Sequence, residues 1–233
     1  MKIKVVRLGR MDYGETLALQ EAVLALRQRG EAGDVLLLVE HPPVITLGRR
    51  GEYSNIIAPR EMLEAMGVSI YETNRGGDVT YHGPGQIVGY PVVDLNNFGR
   101  DVKEFVRLIE EAFILLLREK YGIEAHREDN KYTGVWVGRD KITAIGIAVK
   151  RWVTMHGFAF NVNTNLSHFR WINPCGLTDR GVASLEKLTG KVQDFERLNG
   201  LTAEYFCKVF SLEPEIMQKE EFLWAIRSPN GLR

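Results

Sequence analysis

The chain is organised around one glycine-rich stretch, Arg75-Gly-Gly-Asp-Val-Thr-Tyr-His-Gly-Pro-Gly-Gln86. Its glycines, proline and charged side chains lie between two apolar runs, so this stretch does not belong in the core. Glycine is favoured where φ must be positive or where a ligand approaches the backbone closely. The stretch therefore predicts a short strand at residues 79–81, flanked by loops whose amides face a ligand. An ordinary glycine-rich hairpin is the competing interpretation.

The composition indicates a soluble globular protein. With 233 residues, 45% of them hydrophobic, the chain fits a single domain with a sizeable core. Its 30 basic and 30 acidic residues balance, so no overall field recruits nucleic acid or an anionic membrane. The N-terminus lacks the apolar core of a signal peptide, and the apolar runs are too short to span a bilayer. We expect a cytoplasmic protein with no membrane or nucleic-acid partner, in which Cys175 and Cys207 form no disulfide.

The pattern of apolar residues predicts an α/β (α+β) fold. Strands are expected at residues 2–8, 34–40, 44–47, 69–73, 79–81, 86–94, 133–137, 141–149 and 153–162, and helices at 13–28, 59–66 and 101–120. The later strands are joined as hairpins, which predicts a mixed sheet rather than a purely parallel one. Further helices are expected at 185–188, 192–198, 202–210 and 215–226. We therefore expect one domain over 1–233, of which about 182–233 is a small helical extension.

Two residues are candidates for catalysis. Cys175 lies between Pro174 and Gly176 in a predicted loop, whereas structural cysteines are usually buried on regular elements. A reactive thiol needs a nearby cation or imidazole, and most cysteines are inert. The residues that could supply one are Lys141, Lys150, Arg75, His82 and His156. Lys141 opens an otherwise apolar strand, although a solvated turn lysine is the simpler interpretation.

Two strand glycines, Gly146 and Gly157, indicate either bulges or a surface across which an apolar substrate lies. The substrate would then contact residues 144–146 and 157–159. The five histidines show no metal-ligand spacing, and neither a Walker loop, a dinucleotide fingerprint nor a serine-nucleophile elbow is present. We therefore expect neither a metal nor a cofactor.

Taken together, several motifs resemble those of the bacterial octanoyltransferases, also called lipoyl(octanoyl) transferases. The match runs nearly end to end. It comprises the glycine-rich stretch, Glu40-His-Pro-Pro-Val-Ile-Thr-Leu-Gly-Arg49, Gly134-Val-Trp-Val-Gly138, Lys141-Ile-Thr-Ala-Ile-Gly-Ile147, His156-Gly-Phe-Ala-Phe-Asn-Val162 and Asn173-Pro-Cys-Gly176. The resemblance implies the fold of the biotin and lipoate protein ligases, a mixed sheet flanked by helices.

The resemblance also implies the site. Cys175 matches the nucleophile that forms an acyl-thioester, and Lys141 matches the lysine that lowers the pKa of the thiol and transfers protons. The matched acyl pocket consists of Arg75, Gly76, Gly77, Asp78, Val79, Thr80, Tyr81, His82, Ala144, Ile145, Gly146, Gly157, Phe158 and Ala159.

The implied reaction is transfer of an octanoyl group, without ATP, from octanoyl-acyl carrier protein to a lysine of a lipoyl domain. The implied acceptors are lipoyl domains of 2-oxoacid dehydrogenase E2 subunits and the glycine cleavage H protein. Three alternatives stay open. They are an ATP-dependent ligase of the same fold, which needs no cysteine in this loop; a thioester hydrolase using the same two residues; and a non-catalytic binding module for acyl chains or carrier domains.

Overall fold

The computed structural model of the chain describes residues 1–128, 132–173, 180–228 and 232. The strands are β1 (Lys2–Arg10), β2 (Asp34–Glu40), β3 (Val44–Leu47), β4 (Ser69–Glu72), β5 (Val79–His82), β6 (Gln86–Val92), β7 (His126–Arg127), β8 (Gly134–Val137), β9 (Asp140–Lys150), β10 (Val153–Asn161), β11 (Gly181–Val182) and β12 (Glu213–Met217). The α-helices are α1 (Tyr13–Gln28), α2 (Arg60–Ala65), α3 (Val102–Tyr121), α4 (Leu185–Thr189), α5 (Phe195–Phe210) and α6 (Lys219–Ala225).

One large mixed sheet forms the centre of the fold. Its strand order is β12-β1-β2-β6-β10-β9-β8-β7, with β11 beside β9. The pairs β1–β2, β1–β12 and β9–β11 are parallel, and the remaining pairs are antiparallel. The apolar run of β2 is buried on both faces, as expected for a strand in the middle of a sheet covered on both sides.

Helices cover both faces of this sheet. On one face, α3 and α5 pack through a core that includes Phe113, Phe158 and Phe206. On the other face, α1 and α6 pack through Val23, Phe222 and their neighbours. The mixed sheet flanked by helices that the sequence predicts is therefore confirmed. None of the helices in the described ranges has the length and apolar character needed to cross a membrane.

A second, three-stranded sheet in the order β4-β3-β5 holds the glycine-rich stretch in place. Its core contains the buried side chains of Ile45, Tyr81 and Trp171. The loop before β5 is bound to the main sheet as well, because the Gly76 amide donates to the Ile147 carbonyl of β9 at 2.9 Å. The glycine-rich loop thus lies over β9, with the small sheet as its support.

The C-terminal part differs from the prediction at two places. Residues 192–198 and 202–210 were expected to form two helices, but Phe195–Phe210 is a single helix that begins at the cap Asp194. Residues 215–226 were expected to be one helix, yet Glu213–Met217 forms β12 before α6 begins. Parallel pairing with β1 explains the strand, because tertiary contacts override the local helical preference of so short a segment.

Candidate active site

A cavity of about 820 Å³ lies between the glycine-rich loop and the strands β9 and β10. It brings together most of the residues that the sequence singled out. Its walls include Lys141 and the predicted pocket residues Arg75, Gly76, Gly77, Asp78, Val79, Thr80, His82, Ala144, Ile145, Gly146, Gly157, Phe158 and Ala159. These residues are far apart in the sequence, and the pairing of β9 with β10 places Gly146 opposite Gly157.

Among the described residues, one predicted site residue is not part of this wall. Tyr81 is buried in the core of the small sheet, where its hydroxyl forms a 2.7 Å hydrogen bond with His168 Nδ1. Cys175 lies outside the described residues. The residues that flank its segment, Asn173 and Arg180, both line the cavity.

Arg75 contributes a buried positive charge to the cavity wall. Its guanidinium donates to the Thr46 carbonyl oxygen at 2.6 Å, to Thr46 Oγ1 at 2.9 Å and to the Gly76 carbonyl oxygen at 3.1 Å. These acceptors are neutral, and burial lowers the pKa of Arg75. Asp78 fixes the next turn, because its carboxylate accepts from the Asn55 side chain at 2.9 Å and from the Val79 amide at 2.6 Å. The loop is therefore held in one conformation by its own charged side chains.

A chain of side-chain hydrogen bonds fixes His82. Its Nδ1 donates to Gln86 Oε1 at 2.8 Å, and Gln86 Nε2 donates to Asn161 Oδ1 at 2.8 Å. Asn161 in turn donates to the Ala183 carbonyl oxygen at 3.0 Å. Burial lowers the pKa of His82 to about 3, so the imidazole is neutral at physiological pH.

His156 is held in an unusual backbone conformation on β10. Its φ is +58°, a left-handed conformation that only a few per cent of residues other than glycine adopt, although histidine does so more often than most. The imidazole Nε2 donates to Asn74 Oδ1 at 2.6 Å, and burial lowers the pKa of His156 to about 4. A neutral ring with this tautomer presents Nδ1 as a hydrogen-bond acceptor. Strained backbone positions of this kind are concentrated at functional sites.

The Lys141 side chain is anchored at the other end of β9. Its Nζ donates to the Thr133 carbonyl oxygen at 2.9 Å and lies 4.8 Å from the centre of the Trp136 ring. The guanidinium of Arg180 lies 5.0 Å from the same ring and pairs with Glu128 at 2.7 Å. Two cations therefore lie against the same ring on the cavity wall, an arrangement that favours binding of an anion there.

The two strand glycines are explained by close approach of other backbone segments. A methyl group at Gly146 would lie 2.6 Å from the Gly76 carbonyl oxygen of the loop. A methyl group at Gly157 would overlap the Gly89 carbonyl oxygen of β6. Both glycines also line the cavity, so steric relief and proximity to a ligand site apply together.

Comparison with known proteins identifies the family. The family described as lipoyl protein ligase A/B catalytic domain matches residues 12–207. An octanoyltransferase of Caldicellulosiruptor bescii is 60% identical over 221 residues, which cover 95% of this chain and 97% of the relative. One of Desulforamulus reducens is 58% identical over 221 residues, which cover 95% and 96%. The chain belongs to the octanoyltransferase family. The resemblance seen in the sequence is thereby confirmed.

This member of the octanoyltransferase family shares its fold with protein ligases. A lipoate-protein ligase A bound with ATP superposes with a TM-score of 0.74 over 100% of both chains, at 16% identity. A bi-partite lipoate protein ligase from Thermoplasma acidophilum gives 0.73 over 100% of this chain and 98% of that one, at 15% identity. At such low identities the likeness concerns the fold alone.

Several residues on the cavity wall of this octanoyltransferase family member were missed by the sequence analysis. They are Tyr13, Gln86, Tyr90, Asn161 and Arg180. Gln86 and Asn161 lie within two of the quoted motifs, and that membership could have identified them. Tyr13 and Tyr90 lie on regular elements, where an aromatic residue is usually part of the core, so no local signal distinguished them.

The buried histidines predict a loss of stability in mild acid. His41 donates from Nδ1 to the Met11 carbonyl oxygen at 2.8 Å and accepts at Nε2 from the Tyr90 hydroxyl at 2.8 Å. Burial lowers the pKa of His41 from 6.5 to about 4. The unfolded chain therefore binds a proton that the folded chain does not bind between these values, and stability falls as the pH drops from about 6.5 towards 4.

We expect His41→Gln to reduce this acid sensitivity. Between pH 7 and pH 5, His41 alone accounts for a fall of about 2 kcal/mol in the free energy of unfolding. Urea unfolding of both proteins at the two pH values would measure the difference. The variant should be less stable at pH 7 but lose less on acidification, and an equal loss in both proteins would contradict the assignment.

Proposed function

We propose that this protein transfers an octanoyl group from octanoyl-acyl carrier protein to a lysine of a lipoyl domain, through a thioester on Cys175 and without ATP. The relatives are named octanoyltransferases, and these names support octanoyl as the group that is transferred. The acceptors we propose are lipoyl domains of 2-oxoacid dehydrogenase E2 subunits and the glycine cleavage H protein. The fold shared with lipoate protein ligases, one of which was studied with its E2 lipoyl domain, supports this class of acceptor.

One observation carries the proposal. Lys141 lies on the wall of the same cavity as Asn173 and Arg180, the residues that flank the segment containing Cys175. Only one residue separates Cys175 from Asn173 along the chain. Acyl transfer from a thioester requires a nucleophile, a cation that stabilises its thiolate and a largely apolar pocket.

In the first step, the Cys175 thiolate attacks the carbonyl carbon of the octanoyl thioester. The new carbon–sulfur bond replaces the bond to the carrier's phosphopantetheine sulfur, and the carrier leaves as a thiol after it takes a proton from the Lys141 ammonium, which becomes neutral. One thioester replaces another, so the exchange costs little. Lys141 stabilises the thiolate by its charge, and backbone amides of the surrounding loops are candidate donors to the developing oxyanion.

In the second step, a lysine amine of the lipoyl domain attacks the Cys175 thioester. A carbon–nitrogen bond forms, the carbon–sulfur bond breaks, and the amine must lose a proton. Lys141 in its neutral form accepts that proton as a general base, the role of the lysine that it matches in the family. The amide product is more stable than the thioester, so the transfer needs no ATP.

The acyl chain would occupy the cavity along β9 and β10. Ile145, Phe158 and Ala159 provide apolar contacts there. Burial contributes roughly 0.8 kcal/mol for each methylene group, so the depth of the cavity sets the preference for chain length. Around the cavity, Arg50 and Arg170 add positive charge that fits an acidic carrier domain.

Intact-mass measurement after mixing the protein with octanoyl-acyl carrier protein, without ATP, would test the proposal. We expect one octanoyl adduct on the wild type, none on Cys175→Ala, and discharge of the adduct by an added lipoyl domain. Discharge in buffer alone would favour a thioester hydrolase. If only octanoate plus ATP modifies the lipoyl domain, the protein is a ligase. Absence of any modification would favour a binding module.

Gly146→Val should reduce octanoyl transfer more than butanoyl transfer. The added side chain lies against the Gly76 carbonyl of the loop that covers the cavity, and a four-carbon chain needs less of that space. The measurement is the ratio of the two transfer rates, with Thr143→Val as a control on the same strand, since Thr143 is buried away from the cavity. Equal losses for both chain lengths would argue against this part of the pocket.

A further inference from the structure

Glu110 is a buried carboxylate that plays no part in the proposed chemistry. It lies on α3 with 5% of its surface exposed, and its side chain faces the beginning of β8. Its Oε1 accepts a hydrogen bond from the Gly134 amide at 2.9 Å, and its Oε2 lies 3.5 Å from Arg127 Nε. Burying a carboxylate is costly, so one retained in a core generally has a structural or functional role.

The Gly134 amide connects Glu110 to Lys141. The residue before Gly134 is Thr133, whose carbonyl oxygen accepts from Lys141 Nζ at 2.9 Å. The stem of Lys141 passes over Gly134 itself, because a methyl group there would lie 3.3 Å from Cδ and Cε of the lysine. Trp136, whose ring faces the ammonium, is fixed by its Nε1, which donates to the Tyr132 carbonyl oxygen at 2.9 Å. The acceptor and the surface that hold the ammonium thus belong to one short backbone segment.

We propose that Glu110 is a positioning residue for Lys141, acting through the hydrogen bond that fixes the Thr133–Gly134 peptide. This inference rests on the proposed function, in which Lys141 must face the thiolate of Cys175. With the bond in place, the Thr133 carbonyl and the Trp136 ring hold the ammonium in one position. Without it, the Gly134 amide loses its hydrogen bond to α3.

Charge is the other way in which Glu110 could influence Lys141. The charged groups that act on Glu110 are Arg107 on its own helix, Arg127 on β7 and Lys141 on β9. Arg127 also pairs with Glu111, so it remains partly neutralised when Glu110 is changed. Glu110→Gln removes the charge but keeps an oxygen that accepts from the Gly134 amide, whereas Glu110→Met removes both at similar length. The two variants therefore separate positioning from charge.

The experiment measures two properties of the full-length protein. The first is the rate of Cys175 alkylation by iodoacetamide as a function of pH, followed on the Cys175 peptide by mass spectrometry. Cys207 does not interfere, because burial raises its pKa to about 11. The second is the kcat and KM of octanoyl transfer. Wild type, Glu110→Gln, Glu110→Met, Lys141→Ala and the double variant Glu110→Met/Lys141→Ala are compared.

We expect Glu110→Met to move the alkylation midpoint to higher pH, in the same direction as Lys141→Ala, and to lower kcat by about 10- to 100-fold with KM little changed. Glu110→Gln should behave like the wild type. In the double variant the loss should equal that of Lys141→Ala alone, because Glu110 acts only through Lys141. Circular dichroism establishes whether each variant is folded. If Glu110→Met is not folded, Glu110→Asn replaces it, because the asparagine amide is too short to reach Gly134.

The outcomes separate this inference from the proposed function. If Lys141→Ala moves the midpoint but Glu110→Met does not, Lys141 keeps its role and the positioning role of Glu110 is overturned. The positioning role is also overturned if the double variant loses kcat by the product of the two single losses. It is likewise overturned if Glu110→Gln lowers kcat as much as Glu110→Met does. If Lys141→Ala leaves both the midpoint and kcat unchanged, the proposed pairing of Cys175 with Lys141 fails, and the inference about Glu110 fails with it.

Discussion

Replacing Lys141 by alanine is expected to slow octanoyl loading of Cys175 at pH 7 by about 100-fold or more. Lys141 lies on the wall of the cavity that Asn173 and Arg180 also line, and its Nζ is held by the Thr133 carbonyl oxygen. Without this cation, the thiol should ionise close to its ordinary pKa of about 8.5, so the reactive thiolate becomes scarce at neutral pH. Loading should therefore recover as the pH approaches 9. The measurement is the octanoyl adduct formed with time, followed by intact mass from pH 6 to about 9.

Lys187 supplies a matched control for this experiment. It also lines the cavity, but its Nζ pairs with Asp140 at 2.9 Å and its side chain is 54% exposed. Lys187→Ala removes the same functional group and should leave the pH profile of loading unchanged. An equal fall in both variants would indicate a general effect of positive charge, and normal loading in Lys141→Ala would remove that residue from the mechanism.

Lys141→Arg should separate the two steps of the reaction. A guanidinium keeps the positive charge that stabilises the thiolate, so loading continues at a reduced rate. It does not give up a proton near neutral pH, so it cannot act as the base for the attacking amine. The octanoyl adduct should therefore accumulate and persist after a lipoyl domain is added. Rapid discharge by this variant would assign the proton transfer to another group.

The fold was largely predictable because its strands carry strong local signals. The continuous apolar run of β2 and the apolar residues at helical spacing in α3 indicate burial without any distant contact. The order of the motifs identifies the family. The errors fall where distant contacts decide the structure. β12 exists because it pairs with β1 at the other end of the chain, and its residues show no strand pattern of their own.

Only the site residues that belong to recognisable motifs could be predicted from the sequence. Motif matching placed Lys141 and the glycine-rich loop in one site, and the cavity does contain them together. Glu110 could not be found in this way, because it is one carboxylate among several on a helix, and its hydrogen bond to Gly134 depends on the packing of α3 against β8. The sequence also could not show that Gly157 both lines the cavity and packs against β6, since it does not show which backbone segment approaches this glycine.

Gly157→Ala is expected to lower the free energy of unfolding by about 3 kcal/mol. The added methyl group would overlap the Gly89 carbonyl oxygen and lie 2.7 Å from Pro91 Cδ, and both atoms belong to β6. This strand is hydrogen-bonded on both sides, to β2 and to β10, so it cannot move away without breaking part of the central sheet. Gly89 cannot yield either, because the Phe158 ring occupies the space beside it.

Gly33→Ala is the control for the Gly157 prediction. A methyl group at Gly33 meets only Lys4 Nζ, at 4.0 Å, so stability should change by less than about 0.5 kcal/mol. Urea unfolding followed by circular dichroism measures both variants against the wild type. Gly146→Ala should fall between them, because its methyl group meets a loop carbonyl at 2.6 Å and a loop can shift where a central strand cannot. If Gly157→Ala proves as stable as Gly33→Ala, the contact between β10 and β6 is not rigid, and Gly157 is then required by the cavity alone.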